Sequence, residues 1–163
     1  MDTRDACDFV PFKDKHSDAE IKGILSSYKV VCVVGASDTP GKAAHDVPAY
    51  LMSKGYTIIP VNPNHKAVLG VPSYKSIDDV KQKIYIVEIF RPSNEVYKIV
   101  VDSIKKHPKV IWMQEEIYDK KAADLAERNG ITVVFNRCMY KEHLRQGDTA
   151  ISREAIRWKH KDI

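Results

Sequence analysis

Cysteine is scarce in this sequence. Cys7, Cys32 and Cys138 are the only three, and no two of them are spaced as CxxC. Such a set excludes a disulfide framework and a cysteine-rich zinc module, and reduced surroundings are the expectation. Long apolar runs are also lacking. No stretch approaches the ~20 residues that span a bilayer, so no membrane partner is expected. The N-terminal MDTRDACDFVPFKD mixes acids with apolar residues. It has no basic stretch followed by an apolar one, so it does not read as a secretory leader. A cytoplasmic location is therefore expected. Nor does charge of one sign dominate: 26 Lys and Arg against 22 Asp and Glu give a formal net charge of +4. That mild excess suits an anionic ligand without marking a nucleic-acid interface. No recognition-helix pattern, zinc-finger spacing or aromatic–basic interleaving accompanies it, so nucleic acid is not expected as a partner. The histidine and cysteine spacings define no metal site.

What is present is an ordinary globular composition, 44% hydrophobic and 29% charged over 163 residues, which fits one domain with its own core. Val30–Val34 reads VVCVV, a continuous β-branched run that suits a strand covered on both faces. Val47, Tyr50, Leu51 and Lys54 then recur at helical spacing up to Gly55, with Pro48 expected in the first turns of the helix. Residues 56–61 predict a second strand, in which Pro60 points to an early end or an unpaired position. Residues 68–71 suggest a short third strand, and 76–80 a short helix. Ile84–Phe90 reads IYIVEIF, another strong strand. Ser93 is placed to cap a helix whose Val96, Ile99, Val100 and Ile104 share one face. A strand at 109–113, a helix near 119–129 and a strand at 131–135 complete the pattern. Strands alternating with helices in this way predict an α/β, Rossmann-like open parallel sheet with helices on both faces. Residues 1–24 are read as an N-terminal helical or irregular cap, 25–145 as the α/β domain, and 146–163 as a C-terminal helix or tail of the same domain.

The loop after the first strand, Gly35-Ala36-Ser37-Asp38-Thr39-Pro40-Gly41-Lys42, is the best local signal of function. In a doubly wound sheet, ligands bind beyond the carboxyl ends of the strands, where a helix N-terminus favours phosphate. Gly35 permits a tight turn and close backbone approach. Ser37 and Thr39 can donate hydrogen bonds, and Lys42 can set a positive charge beside a diphosphate. The loop is not the dinucleotide fingerprint GxGxxG, because Ser37 and Pro40 stand where glycines are required. Nor is it a P-loop, because the spacing differs and Ala43 replaces the magnesium-binding hydroxyl. The second strand ends on Asn62, where a nicotinamide dinucleotide site usually places the ribose-binding carboxylate.

Val30 through Asn64, VVCVVGASDTPGKAAHDVPAYLMSKGYTIIPVNPN, resembles the small bacterial and archaeal CoA-binding proteins. These are related to the CoA-binding domain of succinyl-CoA synthetase alpha subunits. The resemblance continues at Glu88-Ile89-Phe90-Arg91-Pro92, at Val110 to Glu115, at Asn136-Arg137-Cys138-Met139 and at Lys141-Glu142-His143. It implies a Rossmann-like domain with coenzyme A or an acyl-CoA as ligand. It places Gly35, Ala36, Ser37 and Lys42 near the phosphates, Asn62 and Pro63 at the nucleotide edge, and Phe90 and Arg91 beside the cofactor. Gln114 and Glu115 would meet the pantetheine arm, and Arg137 and Cys138 would close the same cleft. The synthetase's second domain, which carries its phosphorylated histidine, has no counterpart in this sequence. Binding is therefore expected without catalysis of its own, and no catalytic residue is assigned.

Other readings stay open. One is an enzyme acting on a CoA thioester or, with less support, on a nicotinamide dinucleotide. Another is a module whose ligand controls assembly with a second copy or another protein. Glu115 and Glu116 read as helix-start charge, His45 as a surface or loop histidine, and His143 as a residue of the C-terminal helix with no pattern that makes it a catalytic base. A thiol at Cys138 could exchange with the thiol of CoA if it were exposed and acidic enough.

Overall fold

The computed structural model describes residues 13–147. The expected basic C-terminal segment, the first half of the N-terminal cap (residues 1–12) and Cys7 lie outside the described residues. Helix α1 (Asp18–Ser27) opens on Ser17, whose hydroxyl accepts the Glu20 N–H while the Glu20 carboxylate accepts the Ser17 N–H. This reciprocal cap fixes the start of a helix that then leads into strand β1 (Val30–Val34).

The chain continues through α2 (Ala43–Ser53), β2 (Thr57–Val61) and two two-residue strands, β3 (Ala67–Val68) and β4 (Val71–Pro72). A short 3₁₀ turn at Ile77–Asp79 precedes β5 (Ile86–Ile89), α3 (Ser93–Ile104), β6 (Val110–Met113), α4 (Lys120–Arg128), β7 (Thr132–Val134) and α5 (Met139–Gly147). Five strands form one parallel sheet in the order β2-β1-β5-β6-β7. This is the predicted α/β architecture, a parallel sheet with helices on both faces. The chain runs from β1 out to the β2 edge and then returns to the other side of β1, so the order reverses between β1 and β5. That reversal is where open α/β sheets bind ligands.

Alternate residues of each strand feed opposite cores. Val31, Val33, Ile86, Phe90 and Trp112 pack with α1, α2 and α5, while Cys32, Val87, Ile89 and Ile111 pack with α3 and α4. Both faces are dry, which is why these strands read as unbroken apolar runs.

Three local expectations differ from the structure. The segment at 68–71 is not one strand but an antiparallel pair, Ala67 with Pro72 and Val68 with Val71. Ser93 is the first helical residue rather than the cap, and its hydroxyl accepts the Tyr118 N–H from the next crossover. Pro48 lies beyond the first turn of α2, where its missing N–H leaves the Ala44 carbonyl without its helical donor. The N–H of Ser37 takes that carbonyl at 3.1 Å, so the proline ties the preceding loop to the helix. Pro60 sits within β2, an edge strand, where a missing donor is tolerated.

Candidate functional site

Gly35 leaves β1 with φ +90°, in the left-handed region that glycine enters without penalty. Its N–H donates to the Val61 carbonyl at 2.9 Å. Asn62 fixes the rest of the turn: its side-chain Nδ2 donates to the Ala36 carbonyl at 2.7 Å and its Oδ1 accepts the Asn64 N–H at 2.8 Å. Both ends of this amide are thus used to join the β1 and β2 loops. The Ser37 hydroxyl accepts the Thr39 N–H, and Asp46 accepts the Gly41 N–H. Lys42 stands at the N-cap of α2, exposed, and no side chain caps the helix. The first-turn amides of α2 therefore lack a side-chain acceptor at the end that carries partial positive charge.

Beside this loop lies a cleft of about 530 Å³ between β1, β2, β5 and α3. Its walls include Gly35, Asn62, Lys75, Arg91, Asn94 and Lys98. Arg91 forms a two-point ion pair with Glu95, Nε to Oε2 at 2.6 Å and Nη2 to Oε1 at 3.2 Å. Lys98 pairs with Asp102 at 3.0 Å. Of the residues singled out from sequence, Gly35, Asn62, Pro63 and Arg91 line this cleft. Lys75, Asn94, Glu95 and Lys98 were not singled out, although the i,i+4 spacing of Arg91 and Glu95 was a readable signal.

A second group forms where β6 ends and α5 begins. Cys138 is 1% exposed, and its thiol and the Gln114 side chain hydrogen-bond to each other. Burial pushes this thiol up to about 12, with the Lys141 backbone and Gln114 opposing. It is therefore a poor nucleophile at neutral pH. Glu115 pairs with Lys141 at 2.9 Å, and the Glu116 N–H donates to Asn136 Oδ1 at 2.7 Å. These acids do not start a helix as expected, because α4 begins later, at Lys120, capped by Asp119. Arg137 turns away from the cleft: its Nε donates to Asp14 at 3.2 Å and its Nη2 to the His16 carbonyl at 2.7 Å. Asp14, 2% exposed, also accepts the Phe135 N–H, so one carboxylate binds the N-terminal segment to the end of β7. Phe90 and Ala36 are fully buried, in the same core as Cys138 and Met139.

One carboxyl in this region was not singled out. Glu88 is fully buried in the middle of β5, level with Val33 and Trp112 of the neighbouring strands. Among the described residues, neither of its oxygens has a hydrogen-bond partner. Burial raises its pKa to about 8, so it is mostly neutral at pH 7. The signal was visible as an acid inside the apolar run IYIVEIF.

His45 hydrogen-bonds to Asp46 at 2.6 Å within α2, and His143 Nδ1 meets the Tyr50 hydroxyl at 2.7 Å. Burial, with Lys29 and Lys54 nearby, lowers the pKa of His143. Among the described residues, no three His, Cys, Asp or Glu side chains converge as metal ligands. No described helix is long and apolar enough to cross a membrane.

Comparison with known proteins agrees with this architecture. The family model described as a CoA binding domain matches residues 29–144. A Bacillus subtilis protein, YneT, is 34% identical over 127 residues, covering 78% of this chain and 94% of its own. A solved structure from Pyrococcus horikoshii superposes with a TM-score of 0.80 at 38% identity, over 85% of this chain and 96% of that one. The ADP-forming acetate–CoA ligase of Methanocaldococcus jannaschii is 29% identical over 130 residues, which is 75% of this chain but 18% of the ligase. The sheet order, the glycine loop at its reversal and the match across most of the sequence together show that the chain belongs to the CoA binding domain family.

Proposed function

We propose that the chain binds coenzyme A or an acyl-CoA across the carboxyl end of its sheet, without catalysing a reaction of its own. The diphosphate lies over the Gly35 loop and the uncapped start of α2, within reach of Lys42. The adenosine lies toward Asn62 and Pro63, and the pantetheine arm runs toward the strand ends that carry Phe90, Gln114 and Cys138. The observation that carries this reading is the cleft of about 530 Å³ at the β1–β5 reversal, where a positive-φ glycine, asparagine amides and three cationic side chains meet. A cavity of that size accommodates much of a nucleotide-sized ligand. Family membership and the CoA ligase among the relatives support the ligand class. The amide of Asn62, already committed at both ends, supports CoA over a nicotinamide dinucleotide, whose ribose prefers a carboxylate there. The elevated thiol of Cys138 argues against a role in thioester exchange.

Calorimetric titration of the ligand-stripped protein with CoA, with NAD as comparison, tests the reading. Saturable CoA binding, weakened several-fold by Lys42→Ala, is expected. Binding of NAD without CoA, or of neither, would overturn it.

A further inference from the structure

Arg91 covers the glycine over which the ligand is to lie. A Cβ built on Gly35 would stand 2.8 Å from Arg91 Cδ and 3.1 Å from Cγ, so the methylene stem of the arginine rests against the glycine's α-carbon. The guanidinium is held in that pose from the other side by Glu95, in the first turn of α3, through the two contacts at 2.6 and 3.2 Å. Both residues line the cleft, and both side chains are 46% exposed. The cation best placed to meet an anion in the cleft is therefore committed to a carboxylate. Its stem fills the space that a missing side chain would otherwise leave for a phosphate.

We propose that Arg91 and Glu95 form a displaceable latch over the phosphate loop, in which Glu95 is a positioning residue that sets the affinity of the site for diphosphate ligands. This rests on the function proposed above. An entering diphosphate takes the guanidinium from Glu95, and the stem lifts off Gly35 as the guanidinium turns. Two features make the exchange feasible. An exposed i,i+4 pair is held weakly, and a guanidinium binds a phosphate through two parallel hydrogen bonds just as it binds a carboxylate. A ligand offering one weakly accepting oxygen gains too little to open the latch, whereas a diphosphate offers several charged oxygens at once. Glu95 thereby lowers the affinity of any ligand that takes Arg91, by at most the strength of the pair that is broken.

A double-mutant cycle on the full chain tests this, with CoA as the titrant and calorimetry as the readout. Glu95→Gln is expected to tighten CoA binding about two- to fivefold, and Arg91→Ala to weaken it about tenfold. In the Arg91→Ala background, Glu95→Gln is expected to change nothing, because no arginine remains to be released. The Arg91→Ala background is also the control for long-range repulsion, since the Glu95 charge is removed there with no arginine to free. A gain from Glu95→Gln that persists without Arg91 overturns the latch and leaves CoA binding intact. No CoA binding by any of the proteins overturns the proposed function and the latch together. Glu95 and Arg91 are both exposed at the surface, so neither substitution threatens folding.

Discussion

Replacing Glu88 by Gln should make the protein's stability less dependent on pH. The carboxyl is fully buried, unpartnered among the described residues, and raised from 4.5 to about 8 by desolvation. Between those two values the folded chain keeps the proton while the unfolded chain releases it. The unfolded state then binds fewer protons, so unfolding becomes easier as pH rises. The slope from this one group is about 1.4 kcal/mol per pH unit. Its favourable contribution is fully present below about pH 4.5 and is lost as pH climbs through about 8. From pH 5 to pH 7 the wild type should lose roughly 3 kcal/mol relative to Glu88→Gln, which carries no titrating proton at that position. Urea unfolding of both proteins at pH 5, 6 and 7 and constant ionic strength measures this. The difference between the two proteins cancels every other titrating group they share. Parallel stability profiles would refute the reasoning and would mean that Glu88 finds a charge partner or water in solution.

Three further outcomes follow from the site. Gly35→Ala places a Cβ at a positive φ and 3.1 Å from the Phe90 carbonyl as well as against Arg91; it should cost about 1–3 kcal/mol in urea unfolding, and a cost near zero would mean the turn relaxes freely. Asn62→Asp should be worse than Asn62→Ala despite its nearly identical shape, because a carboxylate faces the Ala36 carbonyl that the amide now serves; the two unfolding midpoints decide it, with an advantage for Asp counting against the loop-joining role. Native Cys138 should resist thiol reagents at pH 7.5, since the thiol is buried and titrates near 12; modification of this cysteine within seconds, read by peptide mass spectrometry, would contradict its buried, protonated state.

The fold was legible because each strand is covered on both sides. VVCVV, IVEI and VIWM lie in the middle of the sheet, and a dry environment on either face permits an unbroken apolar run. The Gly35 loop was legible as a candidate site for a different reason: a glycine directly after such a strand marks the sheet's carboxyl edge. What could not be read were pairings between distant parts of the chain. Arg137 meets Asp14 and His16 across more than a hundred residues, which turns it from the cleft toward the N-terminal segment. Gln114 and Cys138 are neighbours only because β6 and the start of α5 converge. The same limit explains Glu115, which reads locally as helix-start charge yet pairs with Lys141 of α5. Glu88 is another kind of miss. Its place in an apolar run was plain, but periodicity gives no hint that a carboxyl can remain there without a partner.

The proline of α2 sets two demands on the sequence against each other. A residue with a free N–H at position 48 would let the helix reclaim the Ala44 carbonyl and become more regular. The Ser37 amide would then share its acceptor with a helical donor, and one of the loop's anchors to the helix would be weakened. Selection for helix regularity alone would therefore relax the shape of the loop that precedes it. An engineer seeking a more thermostable variant should leave this helix imperfect, because its defect is part of how the loop is held.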